Sequence, residues 1–251
     1  MSQGEVRWVF GAHAVQETLL SRPQSVRQLW VEHELRNPAV GAIVKAAKAA
    51  GVDVHFVGRR ELDKAASGGR HQGIAAKVFY EAGESFAAFL ETLSEEDKKG
   101  MVLVALDQIQ DPHNFGAIAR SAANLGAKGI LITERRASPV TPVVVAASAG
   151  AIEKIRVFRV VNLGQSLQRA KEAGFWVYGA DGAGKPVWDV SLNLPLVLVI
   201  GSEGDGMRRL TQELCDEVVS VPMSKSGVES FNASCAASML LYEIARQAAK
   251  S

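Results

Sequence analysis

Residues 196–206 read LVLVIGSEGDG, and this stretch decides the fold. Leu196–Ile200 has no polar position in five, so it is a strand covered on both faces rather than a half-exposed one. It runs directly into Gly201-Ser202-Glu203-Gly204-Asp205-Gly206. Those glycines permit positive φ and a close approach of backbone to a ligand. The spacing is G-x-x-G-x-G and not G-x-G-x-x-G, so the dinucleotide fingerprint is absent and a nucleotide-dependent oxidoreductase is disfavoured. A glutamate inside such a loop, Glu203, is a functional candidate, with an exposed turn carboxylate as its plain alternative.

The same alternation extends outward from this strand. Val102–Leu106, Gly129–Ile132, Ile155–Val160, Trp176–Gly179 and Val218–Val221 read as further short apolar strands. Asn114–Leu125, Val140–Ala149, Leu163–Ala173, Met207–Leu214 and Asn232–Gln247 read as helices between and after them. Strands alternating with helices imply α/β architecture with a parallel sheet covered on both faces, and ligands bound beyond the carboxyl ends of its strands. A smaller α/β unit precedes it. Its strands are Trp8–Phe10, Leu29–Val31, Val52–Val57 and Ile74–Phe79, and its helices are Ala14–Leu20, Ala39–Ala50 and a third from Gly58 to Ala66. The expected domains are 1–80 and 97–251, with 81–96 as an acidic linker whose short helix covers Phe86–Leu93.

Composition bounds the function. In 251 residues, 47% are hydrophobic and 22% charged, enough apolar material for a real core and against disorder. No run reaches the ~20 apolar residues of a membrane span. The opening MSQGEVRWVFGAH has neither a cationic nor an apolar signal region, so no secretory leader is expected. Two cysteines, Cys215 and Cys235, make no disulfide framework and suit the reducing cytoplasm. Histidines 13, 33, 55, 71 and 113 are dispersed, so no metal site is expected. Net charge is only +1, yet residues 1–80 carry +4 and residues 81–100 carry −4. A basic first unit would suit a polyanion, although a solvated surface explains the same count.

Two more loops follow strands. LDQIQDPHNFGAIAR places Asn114 at a helix start, where free N–H groups attract anions, and Arg120 about 1.7 turns further along, expected near Asn114's side of the helix. The plain alternative is an asparagine cap and a solvated arginine. VVSVPMSKSGVESFNASC introduces the last helix with Ser230, Phe231 and Asn232. Capping accounts for part of it, but not for the loop's length or the phenylalanine within it. Gly179–Lys185 matches G-x-x-x-x-G-K, but Pro186 stands where a phosphate loop needs a hydroxyl for Mg²⁺, so a P-loop NTPase is rejected.

Taken in order, Asp111–Arg120, Ile200–Gly206 and Val219–Ser234 resemble the SpoU (TrmH-like) branch of the SPOUT RNA methyltransferases. Phe10–Val15 (F-G-x-H-A-V) and His71–Ile74 (H-Q-G-I) resemble the N-terminal domain of members acting on a guanosine ribose of 23S rRNA. The resemblance implies a small N-terminal α/β RNA-binding domain and a C-terminal parallel-sheet SPOUT domain with a deep trefoil knot. It implies S-adenosylmethionine held at Gly201, Val221 and Phe231, with Gly179 and Met223 nearby, and catalytic roles for Asn114, Arg120, Glu203, Ser230 and Asn232. It also implies a homodimer in the cytoplasm that methylates a ribose 2′-hydroxyl, with Arg59, Arg60 and Arg70 of the first domain touching RNA. The third loop departs from the closest members in length, and Phe231 stands where leucine is commoner. The alternatives are a tRNA or other rRNA target, or a non-catalytic RNA-binding protein of the same fold.

Overall fold

The computed structural model describes residues 5–33, 37–66, 71–80, 85–224 and 230–249. The chain forms two compact units, Met1–Gly83 with Val140–Lys154, and Glu84–Pro139 with Ile155–Ser251.

In the first unit, β1 (Glu5–Phe10), α1 (Ala12–Ser21), β2 (Val26–Glu32), α2 (Pro38–Ala49), β3 (Asp53–Val57), α3 (Arg59–Ala66) and β4 (Ile74–Tyr80) follow in sequence. The sheet order is β1-β4-β2-β3. β4 is antiparallel to both β1 and β2, and β3 lies parallel to β2. The two N-terminal motifs meet at one end of this sheet. Gly11 has φ 87, a conformation that favours glycine, and donates its N–H to the Ile74 carbonyl at 3.2 Å. Buried His71 accepts the Gly73 N–H at Nδ1 (3.0 Å), which leaves the proton on Nε2, directed at Asp63 Oδ1 (3.0 Å). These motif residues therefore close the turn into β4.

The second unit begins with α4 (Phe86–Thr92) and α5 (Glu95–Lys98). It continues with β5 (Val102–Asp107), α6 (Pro112–Asn124) and β6 (Gly129–Thr133). The connection to β7 (Arg156–Val160) carries α7 (Pro142–Ala147), and then come α8 (Leu163–Glu172), β8 (Trp176–Pro186), β9 (Leu196–Gly201), α9 (Arg209–Gln212), β10 (Glu217–Ser220) and α10 (Ala233–Ala248). The six-stranded sheet, in the order β10-β8-β9-β5-β6-β7, is parallel at every pairing. β5 and β9 sit centrally and are buried at every position, as the unbroken apolar runs require. α7 and the 3-10 turn Ala151–Glu153 pack with β1 and α1 as part of the first unit, where Arg22 pairs with the buried Glu153 carboxylate.

Four details differ from the sequence reading. Residues 140–154, read inside the domain 97–251, group with the first unit. The segment read as a linker places Phe86, Phe89 and Leu90 of α4 in the second unit's core, against Phe158, because residues at i, i+3 and i+4 form one apolar stripe. The strand begun at Trp176 runs on to Pro186. The helix expected over Met207–Leu214 shortens to Arg209–Gln212, since Arg208 donates its backbone N–H to Asp107 Oδ2 (2.9 Å) and its Nε–H to Oδ1 (2.7 Å).

Phe158 lies 4.8 Å from Phe89 and 5.3 Å from Phe86 between ring centroids, over Gly129, where an added Cβ would stand 2.6 Å from the ring. Phe158→Ala should cost about 3–5 kcal/mol, read as a lowered denaturant midpoint at unchanged slope.

Candidate active site

Three loops from the carboxyl edge of the second sheet converge on one carboxylate. Glu203 Oε1 accepts the Asn114 Nδ2–H at 2.9 Å, a second N–H from Asn232 Nδ2, and the Ala233 backbone N–H at 3.4 Å. Asn232 Nδ2 also donates to Asn114 Oδ1 at 2.9 Å. Asn232 Oδ1 accepts from the Ser234 N–H (2.9 Å), the Ser234 hydroxyl (2.6 Å) and the Cys235 N–H (3.4 Å), so the residue caps α10 while its amide faces the cluster. Both amide orientations are thereby fixed by the network. Glu203 Oε2 has no partner among the described residues and remains open to a ligand hydroxyl.

Beside the cluster is a cleft of ≈ 400 Å³. One wall is the backbone of Gly201–Gly206, and another is Ala180–Gly182. Ile200, Val219, Val221, Met223, Phe231 and Leu240 supply apolar surface. Met223 and Phe231, 39% and 40% exposed, leave apolar faces open along the cleft. At Gly201 an added Cβ would stand 2.3 Å from the Gly206 carbonyl carbon, so only glycine lets the returning turn close this tightly. The second wall exists because β10 pairs with β8 discontinuously. Val218 faces Gly179 and Val219 faces Lys185, so the residues between bulge away from the ladder. The rejected G-x-x-x-x-G-K run is this bulge. Ser220 donates its hydroxyl to the Gly184 carbonyl, and a Cβ at Gly184 would meet the Val218 carbonyl oxygen at 2.7 Å.

The structure thus joins Asn114, Glu203 and Asn232, and lines the adjacent cleft with Gly201, Val221, Met223, Ser230 and Phe231. Asn114 is not the cap of its helix, because Asp111 accepts the His113 N–H and takes that role. Gly179 does not line the cleft; a Cβ there would lie 2.5 Å from the Met207 methyl and 2.8 Å from Cys215 Sγ, so this glycine serves packing. Arg120 makes no hydrogen bond to the cluster. It is exposed, outside the cleft lining and without a hydrogen-bond or ion-pair partner among the described residues. Six residues of α-helix turn it about a third of a revolution away from Asn114, so the expected shared face is corrected. In the first unit, Arg59 and Arg60 are exposed in the first turn of α3, where the helix dipole disfavours cations and favours the anions they could bind. Arg70 lies outside the described residues.

Sequence reading missed the Asp107–Arg208 pair, which fixes the far end of the glycine loop on fully buried Asp107. Its only signal was an acid closing an otherwise apolar strand. It also missed Asp181 on the cleft wall, which had been read within a false motif.

The fold and site define a parallel α/β protein with a glycine-walled cleft and a polar cluster beside it. The sequence matches the SpoU rRNA Methylase family over residues 101–242 and the RNA 2′-O ribose methyltransferase substrate-binding family over residues 8–81. The chain belongs to the SpoU rRNA methylase family and is an RNA ribose 2′-O-methyltransferase. It is 41% identical to Bacillus subtilis YacO, provisionally described as a TrmH family tRNA/rRNA methyltransferase, over 96% of this chain and 95% of that one. It is 38% identical to the 23S rRNA (guanosine-2′-O-)-methyltransferase RlmB of Pseudomonas aeruginosa, over 98% of both chains. The SpoU methyltransferase AviRb from Streptomyces viridochromogenes, solved with AdoMet, superposes with a TM-score of 0.79 at 26% identity, covering 98% of this chain and 92% of that one.

Two outcomes test this geometry. Glu203→Ala removes the acceptor shared by three donors and should cost about 1 kcal/mol in denaturant unfolding, because water reaches the exposed side of the cluster. Burial, reinforced by Asp216, pushes the Cys215 thiol up to about 12, so it stays protonated and packed. At pH 8 iodoacetamide should modify exposed Cys235 and spare Cys215 in the native protein, with peptide mapping as the readout.

Proposed function

We propose that the enzyme transfers a methyl group from S-adenosylmethionine to the 2′-hydroxyl of a guanosine in 23S rRNA. Identity of 36–38% to RlmB enzymes across almost the whole chain, substrate-binding unit included, supports the 23S target. The observation that carries the assignment of the active site is the Asn114–Glu203–Asn232 cluster beside the cleft.

The cleft fits the donor. Its volume lies within the range of small-cofactor pockets, its glycine walls offer close backbone, and half-exposed Phe231 and Met223 offer faces for a base. Gly201, Val221, Met223 and Phe231 would hold the cofactor, whose bound form supplies an electrophilic methyl group that departs from a good leaving group. The chain's own task is then to align a ribose oxygen and help its proton leave. Glu203 Oε2, Asn114, Asn232 and Ser230 would orient the nucleotide through its hydroxyls. Arg120, free in solvent, would bind the phosphate next to the reactive ribose and stabilise the developing alkoxide. A guanidinium does not serve as a general base, because its pKa exceeds ~12. The proton would pass to phosphate or water. The same proposal includes the trefoil knot, a cytoplasmic homodimer, and RNA contacts from Arg59 and Arg60.

Labelled S-adenosylmethionine, unmodified 23S rRNA and unmodified tRNA, followed by mass-spectrometric mapping, test the substrate. Methyl on a 23S guanosine ribose is the expected product; methyl on tRNA alone would replace the target. Arg120→Lys keeps the charge and loses the fork, so its kcat/KM should fall at least about tenfold, equivalent to ~1.4 kcal/mol of transition-state stabilisation.

A further inference from the structure

We propose that Arg135 and Arg136, on the turn that leaves β6, bind the phosphodiester backbone of the RNA beside the reactive ribose. The inference rests on the placement of that ribose at the Asn114–Glu203–Asn232 cluster. Both arginines are exposed, and neither guanidinium has a hydrogen-bond or ion-pair partner among the described residues. The carboxylate next to them in sequence, Glu134, is exposed and pairs with neither.

Exposure alone describes any solvated arginine. What distinguishes this turn is its backbone. Arg136 has φ 59, a left-handed conformation that costs an L-residue energy and that glycine or asparagine adopts more readily. The surroundings enforce it. Thr133 donates its hydroxyl to the Arg135 carbonyl at 2.6 Å, and Glu134 donates its N–H to the Val160 carbonyl at 3.0 Å. Ser138 donates its N–H to the Ile109 carbonyl at 2.9 Å. That last bond ties the arginine turn to the loop between β5 and α6, which holds a second left-handed non-glycine residue, Gln108, at φ 63. Such strain persists where surrounding structure over-determines it, and it concentrates at ligand sites.

The position suits RNA leaving the active site. β5 and β6 are adjacent, with Leu106 opposite Ile132, so the two loops emerge one strand spacing apart, about 4.8 Å. The tied loop continues from Ile109 through the Asp111 cap to Asn114, a member of the cluster. A strand whose ribose sits at that cluster therefore runs past two open guanidinium forks, which match phosphate oxygens bidentately. Contacts of this kind position a strand and do not read its sequence.

The test uses the full chain, titrated with an unmodified 23S rRNA transcript and with unmodified tRNA across a potassium chloride series. On the RNA that accepts methyl, Arg135→Ala/Arg136→Ala should weaken binding about tenfold or more at low salt. It should also flatten the log K against log salt slope by about 1.4, at ~0.7 per contact for single strands. Calorimetric binding of S-adenosylmethionine should match the wild type. Arg136→Gly should lower RNA affinity and keep or raise the melting temperature, because glycine relieves the left-handed position. Unchanged RNA affinity and slope in the double variant would overturn the inference. So would a destabilised Arg136→Gly with normal RNA binding, which would make Arg136 a structural residue. A tRNA acceptor would overturn the 23S assignment while leaving the slope to decide this inference; wild-type binding to neither RNA would end both.

Discussion

One oxygen of Glu203 draws together segments far apart in the chain. Asn114 lies 89 residues before it and Asn232 lies 29 after it, and both amides point at the same atom. A carboxylate accepting two amide N–H groups and a backbone N–H resists displacement, because moving its loop strands donors on the other two. The glycine loop is pinned a second time, at Arg208, by fully buried Asp107. Between those anchors the turn has little freedom, and the adjacent Gly201 wall of the cleft is shaped by that restraint rather than by side-chain bulk.

The rest of the cleft follows from a fault in the sheet. Had β8 and β10 paired without interruption, Ala180–Gly182 would lie in the ladder and the cleft would lack a wall. The register jump frees them from β10, although Ala180 stays paired with Ile200 of β9, and Gly184 permits the return because its missing Cβ leaves room for the Val218 backbone. Glycine therefore has two separate uses on neighbouring strands. At Gly201 it lets backbone approach backbone beside the ligand space, while at Gly179 it admits the Met207 and Cys215 side chains behind it.

This division explains what the sequence could and could not disclose. The unbroken apolar runs of β5 and β9 reveal their own burial, and hence the parallel sheet and its functional edge. Glu203 among glycines and Asn232 before a long helix were legible as candidates because each residue type is locally out of place. Gly179 looked like a cofactor glycine because packing glycines and ligand glycines share one signature in sequence. The face of α6 that Arg120 occupies was not resolved by counting turns, because six residues leave it a third of a revolution from Asn114. The bulge in β8 was invisible, since register is set by the partner strand and not by the residues that slip. Asp107–Arg208 was equally hidden, because its partners stand 101 positions apart.

Strain gives a physical link between the sheet edge and the substrate. A fold of this kind has no need of a left-handed arginine or a left-handed glutamine, since glycine would satisfy both turns at lower conformational cost. Holding Gln108 and Arg136 in such backbone uses the Ser138–Ile109 bond and the rigidity of two adjacent buried strands. The same two strands support the loop that ends at Asn114. Stability invested in β5 and β6 is therefore spent at their carboxyl ends, where it holds the Asn114 amide on Glu203 and keeps Arg135 and Arg136 exposed on a fixed turn. An enzyme that must hold a large, flexible RNA over a small cleft gains from having both fixed to the same pair of strands, because neither can then shift without the other.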